Sequence, residues 1–103
     1  MQESAQNDAR PPCMLKLPEI LDLKAAAPLA AEFLALRGWP VHVDAAQVIR
    51  LGGLCLQVLL SAAKTWNLDE NPLTIVSPSA DFMEGLSRLG VSSAEFACQG
   101  KKQ

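Results

Sequence analysis

The chain has 103 residues, of which half are hydrophobic and 19% are charged. That length holds one domain, and the composition excludes an intrinsically disordered chain. The formal net charge is −2 and the Lys and Arg residues are scattered, so the electrostatic footprint of a nucleic-acid binder is missing and no nucleic-acid partner is expected.

Residues 1–12 read MQESAQNDARPP. This polar stretch has no apolar core, so it is not a secretory signal, and it predicts a disordered N-terminal arm. The domain is placed at residues 13–98 and a flexible tail at 99–103. Met14-Leu15-Lys16-Leu17 alternates before Pro18 and predicts a first strand. Ile20-Leu21 predicts a very short second one. Pro28 is tolerated in a first helical turn, which puts a helix start near Lys24 or Ala25. Leu29, Phe33 and Leu36 then share one face, and Gly38 with Pro40 ends the helix.

Residues 40–44 predict a strand in which Val41 and Val43 face one way and His42 the other. Residues 45–51 read as a connection that closes on Gly52-Gly53. Residues 54–66 lack internal Gly and Pro and predict a helix that is apolar nearly all round, hence central or covered. A polar turn over 67–72 leads to Leu73-Thr74-Ile75-Val76, the strongest strand signal, expected to be buried on both faces. Ser79 is a plausible N-cap for a helix carrying Phe82, Leu86 and Leu89, which Gly90 ends. Residues 91–98 form a last element of no assignable type. The order predicts an α/β fold, a small sandwich with a mixed sheet of about four strands and helices packed on it.

The inventory of chemistry is sparse. Cys13, Cys55 and Cys98 are odd in number and widely spaced, which predicts reduced structural thiols and a cytoplasmic location. The single histidine, His42, sits mid-strand, so neither a Ser–His–Asp set nor a zinc set is legible, and no GxSxG or Walker pattern occurs. No enzyme activity, cofactor or metal is expected. The apolar stretch over 51–63 is too short and too interrupted to span a bilayer, so no membrane insertion is expected. Gly52-Gly53 before a helix can cradle a phosphate, but no Lys or Arg stands at the helix start, and a tight turn is the favoured reading.

The stretch Val43-Asp44-Ala45-Ala46-Gln47-Val48-Ile49-Arg50-Leu51-Gly52-Gly53-Leu54-Cys55-Leu56-Gln57-Val58-Leu59 resembles the central motif of STAS domains, the anti-sigma factor antagonist fold. Asp44, Val48, Leu51, Leu56 and Leu59 match its pattern. Residues 73–79, with Phe82, Leu86, Leu89, Gly90 and Val91, are similar to the family's last strand and helix. Phospho-switching members carry D-S-S-G or D-S-T-G before the second helix, where this chain has Gly52, Gly53, Leu54 and Cys55. By that resemblance Leu54 occupies the phosphoacceptor position and has no hydroxyl, so no phosphoacceptor remains. Ser61, Ser77, Ser79, Ser92 and Ser93 stand elsewhere.

The family uses this loop and helix start to contact partner proteins. The resemblance therefore implies a non-enzymatic bacterial signalling module with Arg50, Gly52, Gly53, Leu54, Leu56 and Gln57 at the partner face. Asp44 is expected to bond the amide of Ala46 or Gln47 and shape the loop. Leu54 either joins the core or presents a docking face. Trp39 and Trp66 are expected to lid the core. The Gly-Gly-Leu-Cys version looks most like small STAS proteins of chemotaxis clusters, whose partner is a histidine kinase or its phosphorelay. A STAS subunit bound to the ATPase of a lipid-transport ABC complex and a small-ligand-sensing domain are the alternatives. Oligomeric state is not legible.

Overall fold

A computed structural model of the chain describes residues 11–92 and 96–99. Most of the expected arm and tail, residues 1–10 and 100–103, lies outside these described residues. The elements follow in the order β1 (Cys13–Lys16), β2 (Ile20–Leu21), α1 (Leu23–Ala35), β3 (Val41–Asp44), β4 (Arg50–Leu51), α2 (Gly53–Leu68), β5 (Leu73–Val76), α3 (Ala80–Arg88) and β6 (Ala97–Gln99). The strands β1-β3-β5-β6 form a four-stranded sheet, and β2 with β4 forms a second, two-stranded one. The fold is α/β as expected, but the sheet is not mixed: all four pairings are parallel. Helical crossovers join β1 to β3 and β3 to β5, the connection that parallel neighbours require.

One face of the main sheet carries the core. Leu15, Val41, Val43, Leu73 and Ile75 alternate inward and are buried, while Met14, Lys16, His42 and Asp44 point the other way. β5 is buried at three successive residues, Leu73, Thr74 and Ile75, as its continuous apolar run predicts. The core adds Leu29 and Phe33 from α1, Leu56, Leu59 and Trp66 from α2, and Phe82 and Leu86 from α3.

Asp22 sets the start of α1. Its carboxylate accepts the amides of Lys24 at 3.1 Å and Ala25 at 3.2 Å, which makes Leu23 the first helical residue. The expected start near Lys24 or Ala25 is therefore too late, and Pro28 lies in the second turn. There its missing N–H leaves only the exposed Lys24 carbonyl to water, so the proline is tolerated one turn deeper than expected. Gly38 and Gly90 follow α1 and α3 at φ of +94° and +81°, the left-handed conformation that ends a helix.

Three expectations about connections need correction. Residues 45–51 hold β4, which the reading as a plain connection missed. α2 runs to Leu68, two residues into the expected turn. The untyped last element contains β6, whose Cys98 lies opposite Ile75. Ser79 does cap α3: its Oγ accepts the Phe82 amide at 2.9 Å and donates to the Val48 carbonyl at 2.6 Å. Its own amide donates to the Ala45 carbonyl, so the start of α3 clasps both ends of the 45–48 loop. No helix among the described residues is long and apolar enough to cross a membrane.

Candidate functional site

The candidate site is built where α2 begins. Leu51 in β4 ends the small sheet, and the Gly52 amide donates to the Leu21 carbonyl at 2.8 Å. A Cβ on Gly52 would sit 3.0 Å from that same oxygen, so any other residue would push α2 away from β2. Gly53 has no such neighbour and is exposed; close approach explains the first glycine only. Gly52 is the N-cap of α2 and supplies no side-chain bond. Three residues further, the Cys55 thiol donates to the Asp22 carbonyl at 3.2 Å. The α2 start is thus fastened at two points to the β2–α1 junction.

Leu54 projects from this fastened turn and is 46% exposed. Its two sequence readings, core or surface, resolve to the surface. Leu56, expected at the partner face, is 4% exposed and belongs to the core; it supports the helix from beneath because it lies on the side of α2 turned to Leu59 and the sheet. Gln57 and Arg50 are exposed, and Arg50 makes no ion pair among the described residues. Asp44 accepts the Ala46 amide at 2.9 Å, the loop-shaping bond expected of it.

The sequence reading missed the apolar residues around Leu54. Ile20, Leu23 and Ile49 are also exposed. Ile20 pairs with Arg50 across the small sheet, and the Ile49 amide donates to the Glu19 carbonyl at 2.8 Å, so these side chains belong to the same end of the molecule as the α2 start. It also missed Leu34, 71% exposed on α1, which stands outside the Leu29–Phe33 face. Leu34 and Leu54 flank a groove of about 380 Å³ between α1 and α2, whose floor includes Phe33 and Trp66. In α1 the signal was an apolar residue off the inward Leu29–Phe33 stripe; in α2, apolar nearly all round, no stripe set Leu54 apart, and only packing shows both exposed among the described residues.

The two tryptophans part company. Trp66 is buried, its indole N–H donates to the Trp39 carbonyl at 2.6 Å, and its ring meets Phe33 edge-on at 5.8 Å. Trp39 is 42% exposed, so it does not lid the core as expected. Beyond it Arg37 donates to both Asp69 oxygens, at 2.9 and 3.3 Å. These bonds hold the Asp69 carboxyl below its ordinary range and the Arg37 guanidinium above its own.

What the α2 start offers chemically is an exposed aliphatic side chain on a turn held by two hydrogen bonds. Among the described residues no three of His, Cys, Asp and Glu gather as metal ligands. Burial, helped by the Asp22 carboxylate, raises the Cys55 thiol above its usual value, which disfavours the nucleophilic thiolate. Alkylation of the folded protein at mildly alkaline pH is therefore expected to modify the half-buried Cys13 and spare Cys55 until denaturant is added. Peptide mass mapping checks this, and early labelling of Cys55 would contradict the burial.

No curated protein matches the chain at a significant level. A family model described as "Mlab, STAS domain" matches residues 4–94. STAS domains are in general protein-interaction or signalling modules. With the match spanning most of the chain and the α/β architecture in agreement, the chain belongs to the STAS-domain family.

Proposed function

We propose that this chain is a non-enzymatic subunit that docks on a partner protein through the α2 start, without phosphorylation at the usual STAS serine. The observation that carries the reading is Leu54: an exposed aliphatic side chain on a turn fastened to the β2–α1 junction by the Gly52 and Cys55 bonds. Arg50 and Gln57 flank it as polar rim contacts, and Gly53 leaves room beside it. A hydroxyl at that place would let a phosphate add about −2 charge and switch docking. A leucine offers only desolvation, which acts constitutively, and permanent interfaces are the more apolar ones.

Constitutive contact suits a subunit held on the ATPase of a lipid-transport ABC complex better than a phosphorelay partner that must exchange. The ATPase is therefore the proposed partner, and a chemotaxis histidine kinase is the competing one. The test titrates the purified chain against each of these two proteins from the source organism. Leu54→Asp is expected to weaken binding to the ATPase by about tenfold or more, since it buries an unpaired charge. Its thermal unfolding is expected to match that of the parent, because the position is exposed. Equal affinity of the two forms would remove Leu54 from the interface. Binding to the kinase alone would overturn the choice of partner.

A further inference from the structure

The α1–α2 groove has a lining that defines its occupant more narrowly than exposure alone. Two rows run along its α2 wall at helical spacing. Leu54, Val58 and Ala62 form an apolar row, and Gln57, Ser61 and Thr65 form a neutral polar one beside it. None of the three polar side chains has a hydrogen-bond partner among the described residues. The opposite wall is Phe33, Leu34 and Ala30 from α1. The one charged residue in the lining is Arg37, and Asp69 already neutralises it at 2.9 Å.

From this lining we infer that the groove receives an amphipathic helix of the partner protein, about three turns long, whose inserted face is aliphatic and uncharged. The inference rests on the docking reading above. Its physical basis is complementarity in three respects. The walls present side chains only and no free strand edge, so an extended peptide would leave its own amides unsatisfied, whereas a helix satisfies them internally. The lining holds no unpaired charge, so a charged insert would be desolvated without compensation. The free Gln57, Ser61 and Thr65 can bond neutral polar side chains on the flank of such a helix, and the rows from Leu54 to Thr65 rise about 16 Å, the length of those three turns.

The experiment uses the same titration against the ABC ATPase and the chemotaxis kinase. Ser61→Arg places a charge in the groove at an exposed position and is expected to weaken binding about tenfold or more. With the rim cation removed by Arg50→Gln, the affinity is expected to change by less than about threefold between about 50 and 500 mM NaCl, because the one charge in the groove lining, Arg37, is already paired with Asp69. Hydrogen exchange on the bound partner is expected to show its newly protected segment to be a helix. Binding that Leu54→Asp weakens but Ser61→Arg leaves intact overturns the groove while sparing the docking face. A steep salt dependence of the Arg50→Gln form, or protection of a strand, overturns the neutral helix. No binding by the unmodified chain to either protein overturns the docking reading and this inference with it.

Discussion

Trp66→Ala is expected to lower folding stability by about 3–5 kcal/mol. The side chain is 2% exposed and occupies the end of α2, between Phe33 and the turn after α1. Truncation removes the buried ring area, the edge-on contact with Phe33 and the 2.6 Å bond from the indole to the Trp39 carbonyl. The α1–α2 interface is then left with a cavity that two packed helices cannot close fully. Against a typical domain stability of about 5–15 kcal/mol, a loss of that size leaves a marginal protein. Trp66→Phe separates the contributions. It keeps most of the ring and loses the donor, so a smaller cost of about 1–2 kcal/mol is expected. Urea unfolding followed by circular dichroism measures both. A cost below about 1 kcal/mol for the alanine variant would mean that the α1–α2 packing does not depend on this ring.

The loss has a consequence for the proposed function. Trp66 lies on the floor of the groove whose mouth is Leu54. A collapse of the floor changes the separation of α1 and α2, and with it the shape offered to a partner. Trp66→Ala therefore disturbs binding through folding, whereas Leu54→Asp disturbs it with folding intact. The two variants together distinguish a docking residue from a supporting one.

The legible parts of this chain were those in which neighbours in sequence decide the outcome. The β3–α2–β5 crossover follows from two β-rich runs on either side of an unbroken helical stretch. Ser79 acts through the amide three residues on, and Asp44 bonds Ala46 two residues on. The α1 start was nonetheless read one to two residues late, because it was placed by Pro28 alone and the Asp22 cap was not read. What stayed hidden depends on partners distant in sequence. β4 is two residues long, too short for any periodicity, and exists because Arg50 and Leu51 meet Ile20 and Leu21, the short strand that was legible, some thirty residues back. The parallel sense of the sheet likewise depends on where each strand returns. β6 follows a helix and joins beside β5, a placement that composition does not encode.

The candidate site divides along the same line. The resemblance marked the α2 start, and Gly52 and Leu54 stand there as expected. Leu56 was misassigned because a helix apolar on nearly every side gives no stripe from which to choose the inward face. Cys55, Leu56, Leu59, Ala62 and Trp66 turn inward, and Leu54 and Leu68 turn out. Leu34 and Ile49 were passed over for the complementary reason. Each is one apolar residue in an ordinary local setting, and it acquires meaning only when the fold leaves it uncovered beside others.

Gly85→Leu tests how closely α3 must approach the small sheet that supports Leu54. A Cβ alone at this position would lie 3.0 Å from the Leu51 Cβ and 3.3 Å from its Cδ2. Replacing glycine inside a helix ordinarily stabilises it by up to about 1 kcal/mol. Here the three further carbons of a leucine have nowhere to go, because Leu51 is itself 9% exposed and packed in the core. Overpacking of this kind costs about 1–3 kcal/mol, so the steric penalty outweighs the propensity gain, and a net loss of up to about 2 kcal/mol is expected. Gly85→Ala is expected to fall within about 1 kcal/mol of the parent, since a shift of a few tenths of an ångström by Leu51 accommodates one methyl. The contrast between the two variants, read from their unfolding midpoints, isolates the contact from the helix preference; a leucine variant as stable as the alanine one would show that α3 moves away freely. Ser79 opposes such movement, since its bonds to Val48 and Ala45 hold the start of α3 on the loop that leads into β4. The strain is therefore passed to Leu51 and Gly52, the residues from which α2 and its exposed Leu54 begin.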